Sequence, residues 1–81
     1  MSRELKIGQK YHHFKGNDYI VLDLVNDADT NRDSEMKKLV IYQAQYGEKL
    51  KWARELNEFL SEVDHEKYPE VTQKYRFEEI D

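Results

Sequence analysis

The stretch KYHHFKGNDYIVLDLV, Lys10 to Val25, decides the fold. Its centre, KGND (15–18), has turn chemistry: Gly16 accepts positive φ, and Asn17 and Asp18 hydrogen-bond to their own backbone. Before it lies KYHHF (10–14), short and aromatic as suits a strand. After it lies YIVLDLV (19–25), whose alternation sets Ile20, Leu22 and Leu24 on one face and Tyr19, Val21, Asp23 and Val25 on the other. Two strands around a tight turn read as a β-hairpin.

Working outward, NDADTNRDSEMK (26–37) is a polar loop without apolar periodicity. KLVIYQAQY (38–46) is the second strong strand, with Val40, Tyr42, Ala44 and Tyr46 sharing a face. GEK (47–49) turns the chain into LKWAR (50–54), where Leu50, Trp52 and Arg54 alternate with Lys51 and Ala53. In ELNEFLSEV (55–63) the period changes. Leu56, Phe59, Leu60 and Val63 are spaced as the apolar stripe of a short helix. DHEKYPEVTQK (64–74) is a polar connection, and YRFEEI (75–80) a last short strand. Residues 1–9 read as a partly disordered lead-in to a single domain spanning 1–81. Closure removes exposed strand edges, so a small SH3-like antiparallel barrel of about five strands is expected, with one short helix before the last strand.

Composition narrows the class further. The chain of 81 residues can bury only one modest core, and it has no cysteine to reinforce it with a disulfide or thiolate zinc site. MSRELKIGQK lacks the apolar centre of a signal peptide, and runs such as Leu39–Tyr42 are far too short to span a bilayer. A soluble cytoplasmic protein with no membrane association is therefore expected. The net charge is -4, which disfavours non-specific nucleic-acid binding, because phosphate affinity comes mainly from Lys and Arg. The acidity is concentrated in the last third, while Lys6, Lys10, His12, His13 and Lys15 make the front cationic.

The blocks YHHFKGNDYIVLDL, LVIYQAQYGE, WAREL followed by Phe59, and YRFEEI resemble the small bacterial proteins grouped as DUF1653. Members of that family run approximately Tyr-x-His-Phe-Lys-Gly-Asn-x-Tyr-x-Val-Leu, then Val-Val-Tyr-x-x-Leu-Tyr-Gly, Trp-x-Arg-Pro-x-x-Met-Phe, and Pro-Arg-Phe. The resemblance extends from about Tyr11 to Ile80. It takes in His13, Phe14, Lys15, Gly16, Asn17 and Tyr19, and later Tyr42, Tyr46, Gly47, Trp52, Arg54, Arg76 and Phe77. It implies an SH3-type barrel and no particular activity. The chain departs from the pattern at Glu55 and Tyr75, where the family has proline, and in its longer loop after the second strand. Asn26 stands near the place of a family loop histidine.

Candidate chemistry is sparse. His12 and His13 are neighbours on a strand and so point to opposite faces, which makes them a poor metal pair. A zinc site wants three or four ligands, and the third histidine, His65, lies in the polar connection. Neither a metal nor a cofactor is expected. Ser2, Ser34 and Ser61 fall outside the matched blocks, and the three glycines form no phosphate loop, so no catalytic residue is assigned. The aromatic set is more informative. Phe14, Trp52, Phe59 and Phe77 read as core when each is taken singly. The tyrosines, with their polar tips, suit a surface that keeps one end wet.

The ligand-binding face expected from these residues comprises Tyr11, His13, Lys15, Tyr42, Tyr46, Trp52, Arg54 and Arg76. The expected function is a non-catalytic binding module. Net charge favours a protein or peptide partner; the mixture of cations and aromatics favours single-stranded nucleic acid. A third alternative is a small enzyme of unspecified reaction that uses His13.

Overall fold

The computed structural model describes residues 3–28 and 37–80. The chain forms β1 (Lys10–His13), β2 (Asp18–Asn26), β3 (Lys38–Ala44), β4 (Lys51–Glu55), a one-turn helix α1 (Leu56–Phe59) and β5 (Phe77–Ile80). The strands make one five-stranded sheet in the order β4-β3-β2-β1-β5, with every neighbouring pair antiparallel. Among the described residues the protein is thus mainly β, with a single short helix before the last strand. β4 and β5 end the ladder. Side chains make contact between them: the Arg54 guanidinium lies 5.8 Å from the centroid of the Phe77 ring.

The opening hairpin forms where its turn chemistry demands. The His13 amide donates to the Asn17 carbonyl, and the Gly16 amide to the His13 carbonyl, each at 2.8 Å. Gly16 has φ +109°, with open space where a Cβ would stand. A side chain there would therefore cost backbone strain and not a clash. Gly16→Ala is expected to destabilise by about 1–2 kcal/mol, seen as a lower urea midpoint at unchanged slope. An unchanged midpoint would show that the turn relaxes freely.

β2 departs from its expected alternation. Val21 lies opposite Tyr42, but the next pairs are Asp23 with Ile41 and Leu24 with Val40, so Leu22 is an extra residue in a β-bulge. A bulge sets two residues against one and swaps the faces beyond it. Tyr19 and Val21 point to the core before the bulge, and Leu24 joins them after it. The proposed common face of Ile20, Leu22 and Leu24 is corrected accordingly. β3 has no such defect, and Val40, Tyr42 and Ala44 are buried together as its alternation requires.

The helix is shorter than its apolar stripe. It ends at Phe59 with Leu60 as C-cap, and the Glu55 carboxylate accepts the Glu58 amide at the other end. Beyond Leu60 the backbone turns to the segment leading into β5. The Val63 amide donates to the Lys74 carbonyl, and the Arg76 amide to the Ser61 carbonyl, both at 2.9 Å. Those bonds take the place of a second helical turn. All four stripe residues still face inward: Phe59 and Val63 are buried, and Leu56 and Leu60 pack against the core or are half-buried.

The core is largely aromatic. Phe59 and Phe77 stack with centroids 4.0 Å apart and planes 8° from parallel. Tyr11 and Tyr42 meet Phe59 edge-on at 5.4 and 5.3 Å. Both tyrosines are buried with their hydroxyls bonded: Tyr11 Oη accepts the Lys6 amide and Tyr42 Oη accepts Arg54 Nε, each at 3.2 Å. Along the sequence's lead-in, Arg3 donates to the carbonyls of Leu60 and Phe77 at 3.0 and 2.7 Å and lies 4.0 Å over the Tyr75 ring. The polar loop 26–37 falls mostly outside the described residues; at its rims, the Asp27 amide donates to the Lys37 carbonyl. Among the described residues no helix is long and apolar enough to cross a membrane.

Candidate functional site

The strand period puts Tyr11 and His13 on the same face of β1. Tyr11 goes into the core, and His13, two residues nearer the turn, reaches its rim against Phe77 at 4.8 Å between ring centroids. There the turn supplies Phe14 and Lys15, β4 supplies Arg54, and the residue before β5 is Arg76. The segment after the helix closes the other side: the Tyr68 amide donates to the Asp64 carbonyl, and the Tyr68 ring packs edge-on against Phe14 at 5.1 Å. Together they enclose a cleft of about 260 Å³ lined by His13, Lys15, Arg54, Lys67 and Arg76, with Phe14 and Tyr68 as aromatic walls.

The cleft is strongly cationic. Asp64 is its one carboxylate, and Asp64 Oδ1 accepts the backbone amides of Glu66 and Lys67 at 3.1 and 3.3 Å. Arg54 is held from two sides, by Tyr42 Oη and by Glu58 Oε1 at 2.9 Å. Burial works against its charge, but the Tyr42 and Glu58 contacts outweigh that, so its pKa rises above the usual arginine value. Lys15, Lys67 and Arg76 have no carboxylate within ion-pairing distance among the described residues, where the pairs are Lys6–Glu79, His12–Asp18, Arg54–Glu58 and Lys74–Glu62. Arg76 Nε donates instead to Ser61 Oγ at 3.3 Å.

His13 answers this field by staying neutral. Its pKa drops from 6.5 to about 4, first through burial and then through the charges of Arg54, Arg76, Lys15 and His12. The geometry agrees, because Nδ1 accepts the Lys15 amide at 3.1 Å. The neutral ring then carries its proton on Nε2.

The expected binding face divides into three groups. His13, Lys15, Arg54 and Arg76 meet at the cleft. Tyr11 and Tyr42 are 0% and 5% exposed and have no ring surface to offer a ligand, because a core this small is completed by its aromatics. Tyr42 acts on the cleft indirectly, through its bond to Arg54. Tyr46 and Trp52 lie apart from the cleft in a small apolar hollow beside β4 with Leu50. Trp52 is 50% exposed on that edge strand, so its reading as a core residue is corrected.

The cleft also holds Lys67 and Tyr68, which the expected face does not include. They sit in the polar connection, where the only signal was a Lys-Tyr-Pro step inside an acidic run. His12 points away from His13 and pairs with Asp18 at 2.6 Å, while His65 Nε2 contacts the Gln73 carbonyl at 3.0 Å. Among the described residues, no three His, Asp or Glu side chains gather as metal ligands.

The sheet and its cleft define a class: a small mainly-β domain of acidic composition with a cationic concavity at one end of its opening hairpin. Within that class the chain belongs to the DUF1653 family of proteins of unknown function, whose profile matches residues 9–79. The matched region includes the whole cleft, from His13 to Arg76. No curated protein and no solved structure matches the chain.

Proposed function

We propose that the domain is a cytoplasmic, non-catalytic binding module that grips an acidic segment of a partner protein in the cationic cleft. The observation that carries this reading is the meeting of Lys15, Arg54, Lys67 and Arg76, brought from separate parts of the chain, around one carboxylate in a protein of net charge -4. Like charges held together without ligand cost stability, and an anionic ligand relieves that cost. A short acidic segment is satisfied by the cleft alone, whereas a long polyanion has to continue across a protein of net charge -4.

A second reading, single-stranded nucleic acid, is favoured by the aromatic walls. Lys15 Nζ lies 5.9 and 5.5 Å from the Phe14 and Tyr68 ring centroids, the pairing of cation and ring on which bases stack. Titration of the labelled protein with a short Asp/Glu peptide and with an oligothymidylate separates the two. The peptide is expected to shift the amides of His13, Lys15, Arg54, Tyr68 and Arg76. Arg76→Gln is expected to weaken that binding about tenfold, or about 1.4 kcal/mol. Tighter oligothymidylate binding, falling steeply with salt, would support the second reading. Shifts confined to other surfaces would remove both.

A further inference from the structure

Resting on the reading of the cleft as an anion-binding site, we propose that its anchor ligand is a phosphate monoester, presented as a phosphorylated serine or threonine of the partner segment.

The argument is one of charge and donor count. A carboxylate brings one negative charge and two oxygens. A phosphate monoester brings a charge near -2 and three strongly accepting oxygens on one centre. The cleft offers Lys15, Lys67 and Arg76 free of carboxylate partners among the described residues, and Arg54 besides. Arg54 spends Nε on Tyr42 and Nη1 on Glu58, and Nη2 makes no hydrogen bond among the described residues. One carboxylate would leave most of these cations uncompensated, whereas a tetrahedral dianion can accept from several elements at once. Charge-assisted bonds of this kind are the strong ones, and the planar guanidinium suits oxyanions of this shape.

The remaining groups fit the same ligand. Asp64 is the one lining group that opposes an anion; its Oδ1 is held by the Glu66 and Lys67 amides, and its single charge is outnumbered by the four cations. His13 adds no charge, and with Nδ1 taken by the Lys15 amide its ring presents Nε2–H as a donor. Phe14 and Tyr68 offer apolar wall to the residues that flank the phosphate. A pocket of about 260 Å³ holds one such group with its near neighbours, but not an extended strand.

The test uses the full chain and three probes, followed by calorimetry and phosphorus NMR. The probes are a short capped Gly/Ser peptide with one phosphoserine, the same peptide with Glu-Glu in its place, and inorganic phosphate. The phosphoserine peptide is expected to bind at least about tenfold more tightly than its Glu-Glu counterpart. Its phosphate should titrate below the ordinary value of about 6 when bound, because the cations favour the dianion. The double variant Lys15→Gln with Lys67→Gln should abolish that preference with a melting temperature no lower than the wild type's, since both side chains are exposed, neither has an ion pair among the described residues, and their removal relieves like-charge repulsion. Equal affinity for the two peptides would overturn the phosphate assignment and leave the acidic-segment reading standing. Free phosphate binding as tightly as the phosphopeptide would overturn the partner segment. No binding of any probe would overturn both.

Discussion

Phe59→Ala is expected to lower the free energy of unfolding by about 3–5 kcal/mol. The ring is fully buried at the centre of the aromatic core, stacked on Phe77 and met edge-on by Tyr11 and Tyr42. Its removal forfeits the transfer free energy of a whole phenyl group. It also leaves a cavity whose walls come from three strands and cannot close together without moving the sheet. A chain of 81 residues has a total stability of about 4–12 kcal/mol, so the loss is a large share of everything that holds the fold. Urea unfolding followed by circular dichroism should show either a midpoint shifted far down or a chain already unfolded in buffer. Phe59→Leu keeps most of the volume and should cost much less. If the alanine variant unfolded like the wild type, the stacked pair would not be the centre of the core.

The second large effect is acid sensitivity through His13. Its native pKa of about 4 lies below the ordinary 6.5 that it regains on unfolding. Between those values the unfolded chain binds a proton that the native cleft refuses, so unfolding is favoured as pH falls. The associated stability is fully present above pH 6.5 and is lost as pH falls to about 4. For a fully buried ring this shift would correspond to about 3 kcal/mol. The ring is half-buried and partly screened by solvent, so about 1–2 kcal/mol is expected.

His13→Asn isolates the effect. The Asn side-chain oxygen can accept the Lys15 amide as in an Asx turn, and it does not titrate. Melting temperatures across this pH range should fall less steeply for the variant than for the wild type. Parallel curves would assign the acid sensitivity to other groups. The same linkage predicts that a bound anion, by neutralising Arg54, Arg76 and Lys15, raises the His13 pKa, which the histidine ring resonances report directly.

Much of the architecture was legible because short-range chemistry dictates it. Gly16-Asn17-Asp18 admits a tight turn, and the alternation Val40-Tyr42-Ala44 admits one buried face. The stripe Leu56, Phe59, Leu60 and Val63 named the right inward residues but overstated the helix. Periodicity reports which side chains are buried. It does not report whether their backbone bonds run along a helix or across to Lys74 and Arg76. The bulge at Leu22 left one mark: strict alternation sets the charged Asp23 on the face of Tyr19 and Val21, and the bulge turns it to solvent and puts Leu24 against the core instead.

The cleft divides along the same line. Sequence alone determined the local turn, the strands and a supply of cations and aromatics in a chain without cysteine. Which of those residues meet was decided only in three dimensions. Pairing of β1 with β5 brought Arg76 to His13, the fold of the 64–68 segment brought Lys67 and Tyr68 across from Lys15, and Tyr42 aimed Arg54 from inside the core. Tyr11 and Tyr42 were claimed by the core in the same event. A side chain's residue type states what it can bind, but burial and register depend on contacts between residues dozens of positions apart. Those contacts follow from the minimum free energy of the whole packed chain, and no local stretch encodes them.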